Sequence, residues 1–260
     1  MLLKDKVGIV SGLGPGLGTA VALAFAREGA DVALLARREE NLRDVAKDVE
    51  RMGRRAFWSP TDVTDGAACQ RFVDQAHRAL GRIDILVNNA FYGGPQALLV
   101  EGNLDAWRQA MEVNYWGALN MVDAVLPFMR LAGEGRIVNV TTAAIRLRAP
   151  GRGAYIGSKS AVAGMTKALA TELGEYGIRV NSIVPGWIWG PVIERMFAEQ
   201  ASERGVDPQV IYSENASQLA LQYLPTADEI AGTVIFFASS LSRAVTGQAL
   251  DVNAGQWYSP

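Results

Sequence analysis

Two side chains four residues apart, Tyr155 and Lys159, form a pair that could move a proton. The stretch around them has a helical pattern, and this spacing places the phenol and the ammonium on one face of a helix. An unperturbed phenol has a pKa of about 10, and a neighbouring cation lowers it. Such a pair could exchange a proton with an alcohol or carbonyl oxygen near neutral pH. Because any helix can carry this spacing by chance, the interpretation depends on the rest of the chain.

The chain has 260 residues, of which 49% are hydrophobic and 20% charged, and this suits an α/β domain that needs no disulfide or metal for stability. Its net charge of -2 provides no basic field for nucleic acid or an anionic membrane. Cys69 is the only cysteine and His77 the only histidine, which excludes a disulfide framework and a Cys/His zinc cluster. A Ser-His-Asp triad would need His77. We therefore expect no metal site and no nucleic-acid partner.

The N-terminal residues show no signal-peptide pattern, and no uncharged run is long enough to cross a bilayer. We therefore expect a cytoplasmic protein without a membrane partner.

Four glycines separate an apolar run from a helical pattern near the N-terminus. The run from Lys6 to Val10 predicts a strand, and the pattern that includes Ala20 predicts a helix. A glycine loop between them lets the backbone approach a pyrophosphate, and the helix N-terminus offers free N–H groups. The alternative is a tight turn without a ligand, although a turn needs fewer glycines. We predict a dinucleotide-binding loop that includes Ser11, Gly12, Gly16, Leu17 and Gly18.

The second predicted strand, Asp31 to Ala36, is followed by Arg37 and Arg38. An acidic residue at this position would bind the adenosine ribose of NAD. Ala36 leaves room instead, and Arg37 could pair with a 2′-phosphate through two N–H groups. The alternative is that both arginines begin a solvated helix. We expect NADP(H) to be preferred over NAD(H). Farther along, Asp62 could accept a hydrogen bond from the adenine amino group or act as a turn aspartate.

Strands and helices alternate along the rest of the chain. Predicted strands cover 55–59, 83–88, 136–140, 179–184 and 249–252, and predicted helices cover 65–80, 104–131, 154–176 and 227–238. The segment 191–223 has a less regular pattern. This alternation is typical of a parallel sheet with helices on both faces. Because the chain contains no linker or repeat, we expect one α/β domain over 1–260.

Further residues stand at the ends of these elements in a fixed order: Asp62-Val63, Asn88-Asn89-Ala90, Asn114, Thr142 and Pro185-Gly186. Together with the glycine loop and the pair of Tyr155 and Lys159, this set resembles the short-chain dehydrogenase/reductase family over nearly the whole chain. The resemblance implies a Rossmann-type, doubly wound parallel sheet of about seven strands. It also implies oxidation or reduction at an alcohol or carbonyl carbon with NAD(P)(H).

The resemblance implies roles for individual residues. Tyr155 resembles the general acid/base of the family, and Lys159 resembles the residue that lowers the tyrosine pKa and binds the nicotinamide ribose. Asn114 resembles the residue that holds a water in a proton relay, and the Thr142 hydroxyl would bind the substrate oxygen. Besides the glycine loop, the two arginines, Tyr155 and Lys159, cofactor contacts are expected from Asp62, Val63, Asn89, Ala90, Pro185, Gly186 and Ile188.

Three positions depart from the family pattern. Thr142 stands where the family usually has Ser, and neighbouring Thr141 could compete for its role. Phe91 replaces a glycine that normally lets the backbone pass close to the cofactor. Gly190 stands where many members have Thr, so one cofactor contact is expected to be lost or replaced.

Aromatic residues follow two of the strands that end at the predicted site. They could line a pocket for a bulky, mainly apolar carbonyl or secondary alcohol, or they could pack a lid or a subunit contact. We assign 191–223 as a substrate-binding lid segment. Three nearby arginines, Arg146, Arg148 and Arg152, could attract an anionic substrate group, or they could be solvated loop residues. The expected substrate contacts are Phe91, Tyr92, Thr142, Tyr155, Trp187 and Trp189.

The sequence therefore predicts an oxidoreductase that transfers a hydride between NADP(H) and a small-molecule carbonyl or secondary alcohol. The alternative is a non-catalytic dinucleotide-binding sensor or scaffold, favoured by the three departures from the family pattern. A related enzyme of epimerisation or dehydration would be longer, with a sugar-nucleotide domain. By resemblance, we expect a homodimer or homotetramer.

Overall fold

Seven parallel strands form one sheet in the computed structural model, which describes residues 1–101 and 104–258. They are β1 (Val7–Ser11), β2 (Asp31–Ala36), β3 (Ala56–Pro60), β4 (Ile85–Asn88), β5 (Gly135–Val140), β6 (Ile178–Pro185) and β7 (Ala249–Val252). Their spatial order is β3-β2-β1-β4-β5-β6-β7, and every neighbouring pair is parallel. The order reverses direction after β1, which makes the sheet doubly wound.

Helices alternate with these strands along the chain. They are α1 (Leu17–Arg27), α2 (Glu39–Arg51), α3 (Gly66–Leu80), α4 (Leu104–Met111), α5 (Gly117–Ala132), α6 (Gly153–Leu173), α7 (Pro191–Arg204), α8 (Pro208–Ala216) and α9 (Ala227–Ala238). Apolar residues of α1, α2 and α9 pack on one face of the sheet, and those of α3, α5 and α6 pack on the other. The predicted α/β architecture of a parallel sheet covered on both faces is therefore confirmed.

The burial of the strands follows from these two helix layers. All five residues of β1 and all four of β4 are buried, because central parallel strands are covered on both faces. The edge strands β3 and β7 are only partly buried. Most strand limits lie within two residues of their predicted positions.

The predicted helix over 104–131 is interrupted. α4 ends at Met111, and a π-helical turn, Glu112–Trp116, precedes α5. Asn114 lies in this turn and is buried. A π-turn inserts one residue into the helix and rotates the side chains that follow it, and such turns are frequent at functional sites. Sequence periodicity detects the two flanking helices but not the turn.

The segment 191–223, whose sequence pattern indicates little regular structure, contains α7 and α8. α7 starts at a proline and ends before Gly205, which has a φ of 65°, and α8 is capped by the Asp207 carboxylate. Each helix buries only two side chains, so neither shows a long apolar stripe. Together they form a small apolar cluster apart from the two main cores, centred on Phe197, Ala201, Ile211, Ala216 and Leu224.

In the part of the chain that the structure describes, no helix combines the length and apolar character needed to cross a membrane.

Candidate active site

The carboxyl ends of the parallel strands bring the predicted site residues to one edge of the sheet. Ser11 ends β1, Asn88 ends β4, Val140 ends β5 and Pro185 ends β6. The loops that follow these strands carry the glycines, Asn89, Thr142 and Gly186. Open α/β sheets bind ligands at this edge, near the point where the strand order reverses.

Two glycines of the first loop are required by packing. Gly12 has a φ of 80°, and a Cβ added there would lie 2.2 Å from the Cα of Ala90. A Cβ on Gly18 would lie 2.6 Å from the carbonyl oxygen of Gly12. The Asn89 amide donates a hydrogen bond to that same oxygen at 2.7 Å. These contacts hold the glycine loop against the end of β4.

The other two glycines of the loop face open space. No atom lies within 4 Å of a Cβ added at Gly14 or Gly16, so packing requires a glycine at neither position, although the φ of 147° at Gly16 is one that other residues rarely adopt. Gly16 is the N-cap of α1, where no side chain caps the free N–H groups. Open backbone at an uncapped helix N-terminus is a suitable cradle for a pyrophosphate. The loop therefore fits the dinucleotide that the sequence predicts.

Candidate contacts to the adenosine end of a cofactor lie at the ends of β2 and β3. Arg37 and Arg38 are exposed, and neither forms a salt bridge with a residue described in the structure. Asp62 accepts hydrogen bonds from the backbone N–H and the hydroxyl of Thr64, at 3.0 and 2.9 Å. It therefore acts as a turn aspartate, whereas Val63 beside it is buried.

The Tyr155 phenol lies in a partly buried position in the first turns of α6. Burial raises the pKa of Tyr155, and a hydrogen bond with Thr142 and the charge of Arg152 act in the opposite direction. The Arg152 guanidinium carbon lies 5.0 Å from the centre of the Tyr155 ring. The Phe91 ring meets the same tyrosine edge-on, with 6.3 Å between ring centres. Phe91, Thr142 and Arg152 thus surround the tyrosine.

Lys159 occupies a different environment from the one expected. Its ammonium is buried and donates a hydrogen bond of 2.6 Å to the carbonyl oxygen of Val140 at the end of β5. Burial lowers the pKa of Lys159 from its ordinary value of 10.5 to about 8. The contributions that lower the pKa of Tyr155 come from Thr142 and Arg152. The role expected of Lys159 toward the phenol stays a prediction.

Asn114 links the π-turn to both the neighbouring loop and the tyrosine helix. Its amide oxygen accepts from the Tyr92 backbone N–H at 2.6 Å, and its amide nitrogen donates to the Tyr92 carbonyl at 3.0 Å. The same nitrogen donates to the Ser158 hydroxyl at 2.8 Å, and that hydroxyl donates to the Tyr155 carbonyl at 2.9 Å. Asn114 therefore positions backbone on two sides of the site. Ser158 was not predicted, because a serine inside a helix carries no signal of its own.

The two threonines after β5 have distinct partners. The Thr141 hydroxyl is buried and donates to the Ile183 carbonyl at 2.9 Å, so it does not compete for the site. The Thr142 hydroxyl accepts from the Ala144 N–H at 3.2 Å, and it lowers the pKa of the nearby Tyr155 phenol. Thr142 therefore occupies the position expected for a group that holds the substrate oxygen.

The two tryptophans after β6 pack against the small apolar cluster of α7 and α8. The Trp187 and Trp189 rings lie 6.1 and 5.8 Å from the ring of Phe197, and Trp189 also meets Tyr212 at 4.7 Å. These contacts correspond to the lid-packing alternative. Phe91, in contrast, is 63% exposed beside the tyrosine.

The remaining predicted positions lie on the same connection after β6. A Cβ on Gly186 would lie 2.5 Å from the amide oxygen of Gln256 and 2.9 Å from the Cβ of Asn253, so these side chains would have to shift to admit it. Ile188 is partly buried against the core that includes α1 and α9. A Cβ on Gly190 would meet no atom within 4 Å, which leaves space where many relatives carry a threonine.

The three loop arginines differ in their partners. Arg146 forms a salt bridge of 2.7 Å with Asp251, and Arg148 is exposed. Only Arg152 of the three stacks on Tyr155. The sequence alone does not distinguish them. Within residues 1–101 and 104–258, no three His, Cys, Asp or Glu side chains cluster as a metal site would require.

Comparisons with known proteins agree with this geometry. The family model described as enoyl-(acyl carrier protein) reductase matches residues 12–256. The short-chain reductase protein NovJ of Streptomyces niveus is 36% identical over 253 residues, which are 97% of this chain and 94% of that protein. The 3-oxoacyl-[acyl-carrier-protein] reductase FabG of Thermotoga maritima is 34% identical over 255 residues, which are 98% of this chain and 99% of that protein.

Two solved structures share the whole fold. NAD+-bound xylitol dehydrogenase superposes with a TM-score of 0.89 and 32% identity, over 97% of this chain and 99% of that one. Levodione reductase superposes with a TM-score of 0.90 and 29% identity, over 98% of both chains. This protein therefore belongs to the short-chain dehydrogenase/reductase family and is an NAD(P)-dependent oxidoreductase of alcohols and ketones.

Proposed function

We propose that the protein interconverts a carbonyl compound and its secondary alcohol with NADP(H), and that Tyr155 is the general acid/base. The observation that carries this proposal is the proximity of the Thr142 hydroxyl to the Tyr155 phenol, which lowers the pKa of the phenol. The two hydroxyl groups can hold one substrate oxygen between them. In reduction the phenol donates its proton to that oxygen, and in oxidation it takes the proton back. Bound nicotinamide would supply the hydride acceptor or donor.

Asn114 and Lys159 support this centre from inside the protein. Asn114 fixes the Tyr92 peptide and, through Ser158, the first turns of α6. With its pKa lowered to about 8, Lys159 exchanges a proton near neutral pH, which suits the family's proposed role in proton relay and ribose binding. The family membership favours this enzyme over the non-catalytic sensor or scaffold.

The experiment compares the turnover of Tyr155→Phe and of wild type on a panel of ketones and secondary alcohols. Turnover is measured from the change in absorbance of the nicotinamide cofactor. The variant is expected to lose turnover while its affinity for NADPH, measured by fluorescence, stays within about twofold, because only the phenolic oxygen is removed. Thr142→Val tests the partner and is expected to reduce kcat by about 10²–10³. Turnover retained by Tyr155→Phe would refute the assignment.

The preference for NADP(H) is supported by the two exposed cations, Arg37 and Arg38, after β2. A guanidinium without a carboxylate partner can pair with a 2′-phosphate through two N–H groups. Arg43, on the α2 helix that follows them, is a matched control, because it already pairs with Glu39 at 2.5 Å. Arg37→Gln is expected to raise the KM for NADPH at least about tenfold and to leave the KM for NADH unchanged, whereas Arg43→Gln changes neither. A wild-type preference for NADH would overturn this part.

A bulky, mainly apolar substrate is supported by the exposed ring of Phe91 beside Tyr155. The segment 191–223 is proposed as the lid over that substrate, with Trp187 and Trp189 anchoring it through Phe197. Assembly into a homodimer or homotetramer is a further proposal, supported by the family membership, and light scattering after size-exclusion chromatography tests it.

A further inference from the structure

Arg152 is a cation placed directly on the proposed acid/base. Its guanidinium carbon lies 5.0 Å from the centre of the Tyr155 ring, and its side chain is half-buried. Of the three arginines in this loop, it alone makes this contact. Arg146 is held by Asp251, and Arg148 points to solvent.

The Arg152 guanidinium forms no salt bridge with any residue of 1–101 or 104–258, and its side chain contacts the Tyr155 ring. No hydrogen bond between described residues uses its side-chain N–H groups, and these groups bind carboxylates in pairs. A half-buried, unpaired guanidinium beside a reacting centre is suited to an anion supplied by a ligand.

Helix stability does not explain the residue. Arg152 is the N-cap of α6, and its side chain makes no capping hydrogen bond. A cation at this end of a helix is unfavourable, because the free N–H groups already carry partial positive charge.

A second neighbour of Tyr155 is apolar. Phe91 meets the tyrosine ring edge-on at 6.3 Å and is 63% exposed. A ligand that reaches the phenol therefore meets a cation and an aromatic ring together. These are the contacts that a molecule with a charged head and an apolar chain requires.

We propose that Arg152 binds a carboxylate of the substrate beside the reacting carbon, so that the enzyme acts on oxo acids and hydroxy acids with an apolar chain. The inference rests on the proposed function, since it places the carboxylate relative to Tyr155. Arg152 is a specificity-determining residue in this arrangement, and Phe91 contacts the apolar chain.

Kinetics with matched substrates test the charge requirement. The probes are 2-oxooctanoate and 4-oxopentanoate, each with its methyl ester, and the variants are Arg152→Gln, Arg152→Lys and Arg148→Gln. For the acids, Arg152→Gln is expected to lower kcat/KM by about 10- to 100-fold, with most of the effect in KM. Arg152→Lys keeps the charge and recovers part of this loss, and Arg148→Gln behaves as wild type. For the esters, Arg152→Gln loses only its effect on the phenol, so its loss of kcat/KM is expected to be at least about tenfold smaller than for the acids, and Arg148→Gln stays within about threefold of wild type.

A binding measurement separates this inference from the proposed function. Octanoate does not react, so its affinity for the NADPH-loaded enzyme, measured by calorimetry, does not depend on turnover. Tyr155→Phe keeps the aromatic ring and is expected to bind octanoate as wild type does, whereas Arg152→Gln weakens it at least about tenfold. Methyl octanoate is the neutral control.

Two results would overturn the inference. One is an equal affinity of wild type and Arg152→Gln for octanoate. The other is an equal loss of kcat/KM for acids and esters, which would mean that Arg152 acts only on the phenol. Failure of the proposed function would appear elsewhere, as turnover retained by Tyr155→Phe.

Discussion

Replacing the buried amine of Lys159 by methionine should change how protein stability depends on pH. The ammonium is buried, and its pKa falls from 10.5 to about 8 on folding. At about 1.36 kcal/mol per pKa unit, the charged form costs about 3 kcal/mol of folding free energy at pH 7. Lys159→Met removes this cost. It also leaves the Val140 carbonyl without its 2.6 Å donor, which costs about 1–3 kcal/mol at every pH.

The sign of the pH dependence follows from the two pKa values of Lys159. Below pH 8 the amine is charged in both the folded and the unfolded chain, and the cost is constant. Between pH 8 and 10.5 the unfolded chain binds more protons, so the stability of wild type rises with pH. We therefore expect Lys159→Met to be as stable as wild type or up to about 2 kcal/mol more stable at pH 7. At pH 10, Lys159→Met should be as stable as wild type or up to about 2 kcal/mol less stable. Between pH 7 and pH 10, the stability difference between the two proteins therefore changes by about 2–3 kcal/mol.

Urea unfolding followed by tryptophan fluorescence at pH 7, 8, 9 and 10 measures this change. Other groups also titrate in this range, and the difference between variant and wild type removes their contribution. Lys167→Met, an exposed position on the same helix, is the control, and its difference from wild type is expected to stay constant with pH. A stability difference for Lys159→Met that is the same at pH 7 and pH 10 would refute the reasoning.

Two further predictions concern glycines. In urea unfolding, Gly12→Ala should destabilise the fold by about 3 kcal/mol or more, because the new Cβ lies at a positive φ and against the backbone of Ala90. Gly14→Ala should stay within about 0.5 kcal/mol of the wild-type free energy of unfolding. Equal losses would contradict the division of this loop into packed and open glycines. Gly153→Ala places a Cβ 2.6 Å from the ring of Trp107, and should cost about 1–3 kcal/mol in thermal unfolding. Trp107→Leu should recover part of that loss, and strictly additive effects of the two substitutions would argue against the contact.

The spacing of apolar residues and glycines along the chain was sufficient to predict the layers of the fold and the glycine loop. Apolar runs that stop at glycine or at a polar pair mark parallel strands, because a strand covered on both faces needs a continuous apolar sequence. The strand, the four glycines and the helix that follows are contiguous, so the loop between Ser11 and Leu17 could be predicted without any distant contact. The spacing of Tyr155 and Lys159 likewise predicted their shared helix.

Local pattern did not predict the interruption of the helix over 104–131 or the two helices in 191–223. The first depends on a π-turn around Asn114, which shifts the register without changing the apolar spacing. The second depends on helices that each bury only two side chains against a small separate cluster, as Phe197 and Ala201 do in α7.

The partner of each charged or polar group depended on the tertiary structure. Lys159 donates a hydrogen bond to the carbonyl oxygen of Val140 at the end of β5, nineteen residues away. Arg146 is neutralised by Asp251, 105 residues away, whereas Arg152 forms no salt bridge with a residue that the structure describes. The sequence by itself thus determined which elements form and which residue types reach the edge of the sheet, because these depend on near neighbours along the chain. Burial and long-range contacts decided which of those residues are packed, paired or free to act, because solvation and charge pairing depend on distance in space.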